Sequence, residues 1–137
     1  MTEISDSGAY APIPQAVEQI GASIVDAGMK VHKTLGAGLL ESTYEQCLAY
    51  EPNERGLLVR RQIPLSIVYG KLKIDAAYRI DMLVGDAVVV EVKSVEALTA
   101  IHQAQLLTYL KMSGHRLGFL INFNVPLLKQ GLKRIAR

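Results

Sequence analysis

The chain has one cysteine, no tryptophan and two phenylalanines in 137 residues. A single cysteine, Cys47, excludes an internal disulfide and a thiolate metal cluster, and points to a reducing compartment. Cys47 lies among helix-like residues and reads as a small core residue. No apolar run approaches the roughly 20 residues of a membrane span. The N-terminus lacks the basic-then-apolar order of a signal peptide, so a cytoplasmic protein with no membrane contact is expected. An excess of one charge is missing too: 15 Lys and Arg face 13 Asp and Glu, for a net charge of +2. There is no global polyanion signal, and any basic surface must be local. His32, His102 and His115 are dispersed, and no pair has metal-helix spacing. They read as a local packing or capping residue, a residue near a helix start, and a turn residue. Gly36-Ala37-Gly38 lacks the Lys-Ser/Thr that would make it a phosphate loop. No Ser-His-Asp arrangement can be argued.

What is present suits one ordinary globular domain: half the residues are apolar and a fifth are charged. Residues 1–12 are polar and small, without periodicity, and read as a flexible tail; residues 13–137 form the domain. Val17, Ile20, Gly21, Ile24, Gly28, Val31 and Leu35 make one helical stripe that should stop at Gly36. Gly21 and Gly28 on that stripe predict close approach to another element. A second helix is expected over about 40–49, broken by Pro52-Asn53. Leu57-Leu58-Val59 reads as a short strand. Ile63, Leu65, Ile67 and Tyr69 alternate as another, with Pro64 marking an edge or a bulge. A turn at 69–72, a strand over 76–84, a hairpin at Gly85-Asp86, a Val-rich strand, a helix over 98–112 and a strand over 117–123 complete the order. The path from strand 87–93 through a helix to strand 117–123 makes those two strands candidates for parallel neighbours. The expected fold is α/β (α+β), a mixed central sheet with helices on both faces.

The chain is organised around Ala87-Val88-Val89-Val90-Glu91-Val92-Lys93-Ser94. The valines suit a central strand packed on both faces. Charge does not suit it, because burying an unpaired carboxylate costs several kcal/mol or shifts its pKa until it is neutral. Glu91 and Lys93 are two apart and share a face. Either that face opens to solvent or it is a site. Asp81 lies in the preceding strand. A two-residue loop at Gly85-Asp86 pairs it with Val90 and turns it away, whereas a three-residue loop or a bulge sets it opposite Glu91. Carboxylates about 5 Å apart repel, and the remedies are a shared proton or a cation. Oxygen ligands suit Mg²⁺ or Mn²⁺, and Lys93 would set a positive charge beside the ion. Gln105 and Tyr109 share a helix face, and Glu41 and Tyr44 lie three apart on the early helix.

Asp81, then Glu91-Val92-Lys93, then Gln105-Leu106-Leu107-Thr108-Tyr109 resembles the PD-(D/E)xK nuclease superfamily in its RecB-like form with a Q-x-x-x-Y helix. Gly38 to Tyr44 is similar to the signature of the GxxExxY protein family, assigned to that superfamily. The similarity runs from about His32 to Arg134, with Pro52-Asn53 as a departure that should shorten a helix. The resemblance implies a restriction-endonuclease-like fold and hydrolysis of nucleic-acid phosphodiesters, most naturally DNA. It implies that Asp81 and Glu91 bind Mg²⁺ or Mn²⁺, with the Val92 carbonyl as a third ligand. Glu41 would hold a metal-bound water or a second ion. Lys93 would orient or activate the attacking water, and Gln105 and Tyr109 would brace the site or touch the phosphate backbone. A chain of this size suggests a homodimer that engages both strands.

Two other readings stay open: a non-catalytic nucleic-acid-binding or regulatory module, and a structural protein in which Asp81, Glu91 and Lys93 form a buried ion network. Arg60-Arg61, Lys71, Lys73 and the basic end Lys133, Arg134 and Arg137 either meet phosphates or form a solvated face.

Overall fold

The structure is a computed structural model that describes residues 2–5 and 11–137. Its elements are β1 (Thr2–Ser5), α1 (Gln15–Leu35), α2 (Glu41–Glu54), β2 (Val59–Tyr69), β3 (Leu72–Val84), β4 (Val88–Lys93), α3 (Ala100–Ser113), β5 (Leu117–Asn122) and β6 (Leu132–Ala136). The strands form one mixed sheet in the order β1-β6-β5-β4-β3-β2. Half of the flexible tail expected over residues 1–12, residues 1 and 6–10, lies outside the described residues. Thr2–Ser5 runs parallel to β6 at one edge of the sheet.

β4 is central, as its valines require. It runs parallel to β5 and antiparallel to β3. All of β5 is buried, and so is all of β4 up to the half-buried Lys93. Val88, Val90 and Val92 pack under α1 and α2, together with Met82, Val84, Phe119 and Ile121. Val89 packs on the other face with Leu83, Leu120 and α3 residues Leu106, Tyr109 and Leu110. Two-faced burial explains why neither strand alternates in polarity.

α1 buries Gly21, Ile24, Ala27, Gly28 and Val31. A Cβ at Gly21 would sit 3.2 Å from Leu117 and Phe119, and one at Gly28 would sit 3.2 Å from Leu128. Glycine is therefore what lets this helix lie against the sheet. Gly36 ends it, with φ of 70° and its N–H donating to the His32 carbonyl at 2.8 Å. His32 packs locally, with Nε2 2.8 Å from the Val125 carbonyl oxygen.

Four expectations on element bounds need correction. α2 is not cut short at Pro52 but continues to Glu54. Proline removes only one helical hydrogen bond there, near the end. The turn is also held by Glu51, which pairs with Lys30 of α1 at 2.8 Å. β2 is one strand, not two, because Arg60, Arg61 and Gln62 continue it. β3 starts at Leu72 and absorbs a register shift near Ser66 and Ala76, where Ala76 has φ of 51°. The basic end, read without structure, supplies β6. Two of its cations are engaged: Arg134 makes a bidentate pair with Glu18 at 2.6 and 3.1 Å, and Arg137 Nε donates to the His115 carbonyl at 2.9 Å.

Candidate functional site

β3 and β4 pair only over Met82–Val84 and Val88–Val90, with Val84 opposite Val88. The connection is thus the three residues Gly85-Asp86-Ala87, and Gly85 and Asp86 both take positive φ, 61° and 54°. Beyond Met82 and Val90 the ladder stops. The same register sets Asp81 across from Glu91, and their carboxylates take over where backbone pairing ends. Glu91 Oε1 accepts from the Asp81 N–H at 3.1 Å, and Asp81 Oδ2 accepts from the Val92 N–H at 2.9 Å. The two carboxyl groups also meet each other side chain to side chain.

Glu91 is only 3% exposed, which excludes a solvated strand face for it. Burial first, and the Asp81 charge second, push its pKa up from 4.5 to about 9. Lys93, half-buried and two residues on, opposes this shift with a smaller effect. Glu91 therefore holds its proton at neutral pH unless a cation displaces it. Among the described residues, no group of three or more His, Cys, Asp or Glu side chains is arranged to hold a metal. Two carboxylates and a carbonyl nevertheless suit Mg²⁺, which keeps several waters and takes few protein ligands. The Val92 carbonyl faces the same gap as its N–H, since a strand residue directs both groups to one edge.

The remaining predicted residues approach from two helices. Glu41 starts α2, and its Oε2 accepts from the Ser94 N–H at 3.3 Å. Glu41, Asp81 and Val92 line one cleft of about 220 Å³. Tyr109 comes from the opposite face and is 4% exposed. Its hydroxyl pKa is pushed up to about 12 by burial and then by the charges of Glu91 and Asp81. Its ring tilts against Tyr78, with centroids 5.7 Å apart. Gln105 is half-buried, one turn before Tyr109 on α3, and forms no hydrogen bond to the carboxylates among the described residues.

Tyr44, the aromatic of the G-x-x-E-x-x-Y stretch, is wholly buried and supports the site from behind. Its ring stacks on Phe123 with centroids 4.5 Å apart. Its hydroxyl donates to the Gly36 carbonyl at 2.5 Å and accepts from the Leu39 N–H at 3.1 Å. Ser94 Oγ also donates to the Leu39 carbonyl, at 2.7 Å. The loop that delivers Glu41 is thus tied down twice. Tyr44→Phe is expected to cost about 1–2 kcal/mol, the value of a buried bond with its acceptor left unpaired. Urea unfolding checks this: the midpoint should fall with an unchanged slope.

Sequence reading missed three polar groups here. Asn122, 1% exposed, accepts from the Val95 and Asn124 N–H groups at 3.1 and 3.2 Å and shapes the loop after β4. Glu45, one turn after Glu41, is 6% exposed and lines the same cleft, as does Gln62 of β2. Gln62 has φ of 55°, a conformation that costs a non-glycine residue about 1–3 kcal/mol. Spacing on α2 offered a signal for Glu45. Nothing local marked Gln62.

Arg60 and Arg61, candidates for phosphate contact, are engaged in ion pairs with Asp86 at 2.8 Å and Glu45 at 2.5 Å. Lys71 lies at the exposed turn of the β2–β3 ribbon, and Lys73 beside it pairs with Asp75 at 3.6 Å. His102 is part of the α3 cap, its Nδ1 accepting from the Thr99 N–H at 3.1 Å.

A mixed sheet flanked by helices, with two opposed acids and a lysine where its central strands part, is a restriction-endonuclease-like α/β fold. A family model described as the PD-(D/E)XK nuclease superfamily matches residues 18–135, and the chain belongs to that superfamily. No curated protein and no solved structure matches the chain. Among the described residues, no helix is long and apolar enough to cross a membrane.

Proposed function

We propose that the protein is a Mg²⁺- or Mn²⁺-dependent nuclease that hydrolyses phosphodiester bonds of DNA. Within the superfamily we assign it to the RecB-like, GxxExxY branch. The observation that carries this reading is the Asp81–Glu91 pair: two acids locked by each other's strands, one of them buried. A structural ion network explains the burial poorly, because Lys93 offsets the repulsion least.

When bound, the cation supplies Lewis acidity to the phosphoryl group and to the attacking water. Asp81 and Glu91 would hold it, together with the Val92 carbonyl. Glu41 faces the same cleft and carries a further negative charge for a hydrated or second ion. The Lys93 ammonium orients the water and steadies charge on the phosphate. Tyr109 enters as a neutral hydroxyl, since its pKa lies far above neutrality. Gln105, one turn earlier on the same face, reaches the phosphate backbone. The exposed ribbon turn carries Lys71 as a positive charge for a polyanion, Lys73 being paired with Asp75.

Purified protein should cut at least one of linear, nicked, branched or single-stranded DNA with either ion. Lys93→Ala should slow that cleavage by about 10²-fold, the usual loss for one preorganised charge-stabilising donor. If every DNA form stays intact with both ions, the nuclease reading is wrong. Salt-sensitive binding without turnover would then favour the non-catalytic module.

A further inference from the structure

The β2–β3 ladder pairs Arg61 with Met82 and Ile63 with Ile80. The rung between them is missing, and its two residues are Gln62 and Asp81. Asp81 is therefore flanked by Glu91 on one side and by a left-handed Gln62 on the other. The left-handed residue is held by a built contact. Gln62 Nε2 donates to Glu45 Oε1 at 2.7 Å, while Arg61 donates to Glu45 Oε2 through Nη2 at 2.5 Å and Nε at 3.1 Å. Glu45 is buried and sits one turn beyond Glu41 on α2. Glu41, Glu45, Gln62, Asp81 and Val92 all line the same cleft. Strain beside a catalytic carboxylate persists only where its surroundings over-determine it.

We propose that Gln62 is a positioning residue for this site, acting through Glu45. Its kinked backbone interrupts the β2–β3 ladder beside Asp81, whose backbone N–H and carboxylate both pair with β4 instead. Its amide ties that break to α2, so the wall bearing Asp81 and the wall bearing Glu41 move as one body. Gln62 itself touches no reacting atom. The proposal rests on the nuclease reading above.

The test compares Gln62→Ala, Gln62→Gly and Gln62→Asn with native protein by Mn²⁺ calorimetry, cleavage kinetics and amide hydrogen exchange. Losing a supporting partner typically costs 10–100-fold in metal affinity. Gln62→Ala should therefore weaken Mn²⁺ binding and kcat at least ~10-fold while KM for DNA stays within twofold. Gln62→Gly adopts the left-handed backbone freely, so it should show the same loss of Mn²⁺ affinity without a lower Tm. Gln62→Asn tolerates that backbone and keeps an amide, so it should recover part of the affinity. In metal-free protein, the Asp81, Val92 and Ser94 amides should exchange faster in Gln62→Ala. Mn²⁺ affinities within twofold of native for both Ala and Gly variants would overturn the proposal, as would unchanged exchange. Faster exchange in a protein that neither binds Mn²⁺ nor cuts DNA would support the coupling of the two walls and sink the nuclease reading alone.

Discussion

Asp81→Ala should lower the single-turnover rate of the proposed Mg²⁺-dependent DNA cleavage by about 10⁴-fold and leave the fold intact. The expected loss follows from removing one of the two acids proposed to hold a cation whose charge stabilisation is worth several kcal/mol, at about 1.4 kcal/mol per factor of ten. The fold survives because two effects on stability oppose. The Val92 N–H loses its acceptor, a cost of about 1–3 kcal/mol if it stays dry. Glu91 loses the neighbouring charge that raises its pKa, which relieves repulsion. Asp86→Ala is the control. Asp86 is exposed and pairs with Arg60 outside the cleft, so its loss should leave the rate unchanged. A residual rate for Asp81→Ala within tenfold of native would remove Asp81 from the chemistry.

The second large effect is on pH. In the metal-free protein Glu91 holds its proton to about pH 9, against 4.5 ordinarily. A raised folded-state pKa contributes stability that is complete below the unfolded value and is lost as pH climbs to the folded one. Stability of the metal-free protein should therefore fall between about pH 4.5 and 9, by up to ~1.4 kcal/mol per pH unit. Glu91→Gln removes the titration, keeps a side-chain carbonyl for the Asp81 N–H, and should flatten this slope and raise the Tm at pH 8. Cation binding needs the ionised acid and so displaces the proton. Mn²⁺ affinity should rise by up to ~10-fold per pH unit below 9, with close to one proton released on binding at neutral pH. Calorimetry in two buffers of different ionisation enthalpy reads that proton directly. An affinity flat from pH 6 to 9 would show that Glu91 is not the group displaced.

The N-terminal half of the site illustrates how far a motif reaches. Glu41 and Tyr44 are three apart, so they leave α2 on neighbouring faces, but the spacing does not assign their duties. The contacts do. Tyr44 anchors the loop from behind through Gly36 and Leu39, and Glu41 faces the cleft. Likewise the pair Arg60-Arg61 resembles a phosphate-binding patch in one dimension. Folded, Arg60 closes on Asp86, Arg61 on Glu45 and Lys73 on Asp75, and Lys71 lies at an exposed turn.

The valine run determined by itself that β4 is central, since only two-faced packing suits consecutive β-branched residues, and parallel pairing with β5 followed from the intervening helix. Gly21 and Gly28 likewise determined a close helix contact, because both fall on one apolar stripe. The meeting of Asp81 with Glu91 was decided only by the tertiary structure. Gly85-Asp86 is compatible with a two- or a three-residue loop, and a one-residue slip would turn every side chain over. Burial of Met82, Val84, Val88 and Val90 together under α1 and α2 fixes the three-residue answer. Glu45 and Gln62 lay further out of reach. Their place beside Asp81 depends on one left-handed backbone angle and on a contact between α2 and an edge strand, and neither leaves a local mark in the chain.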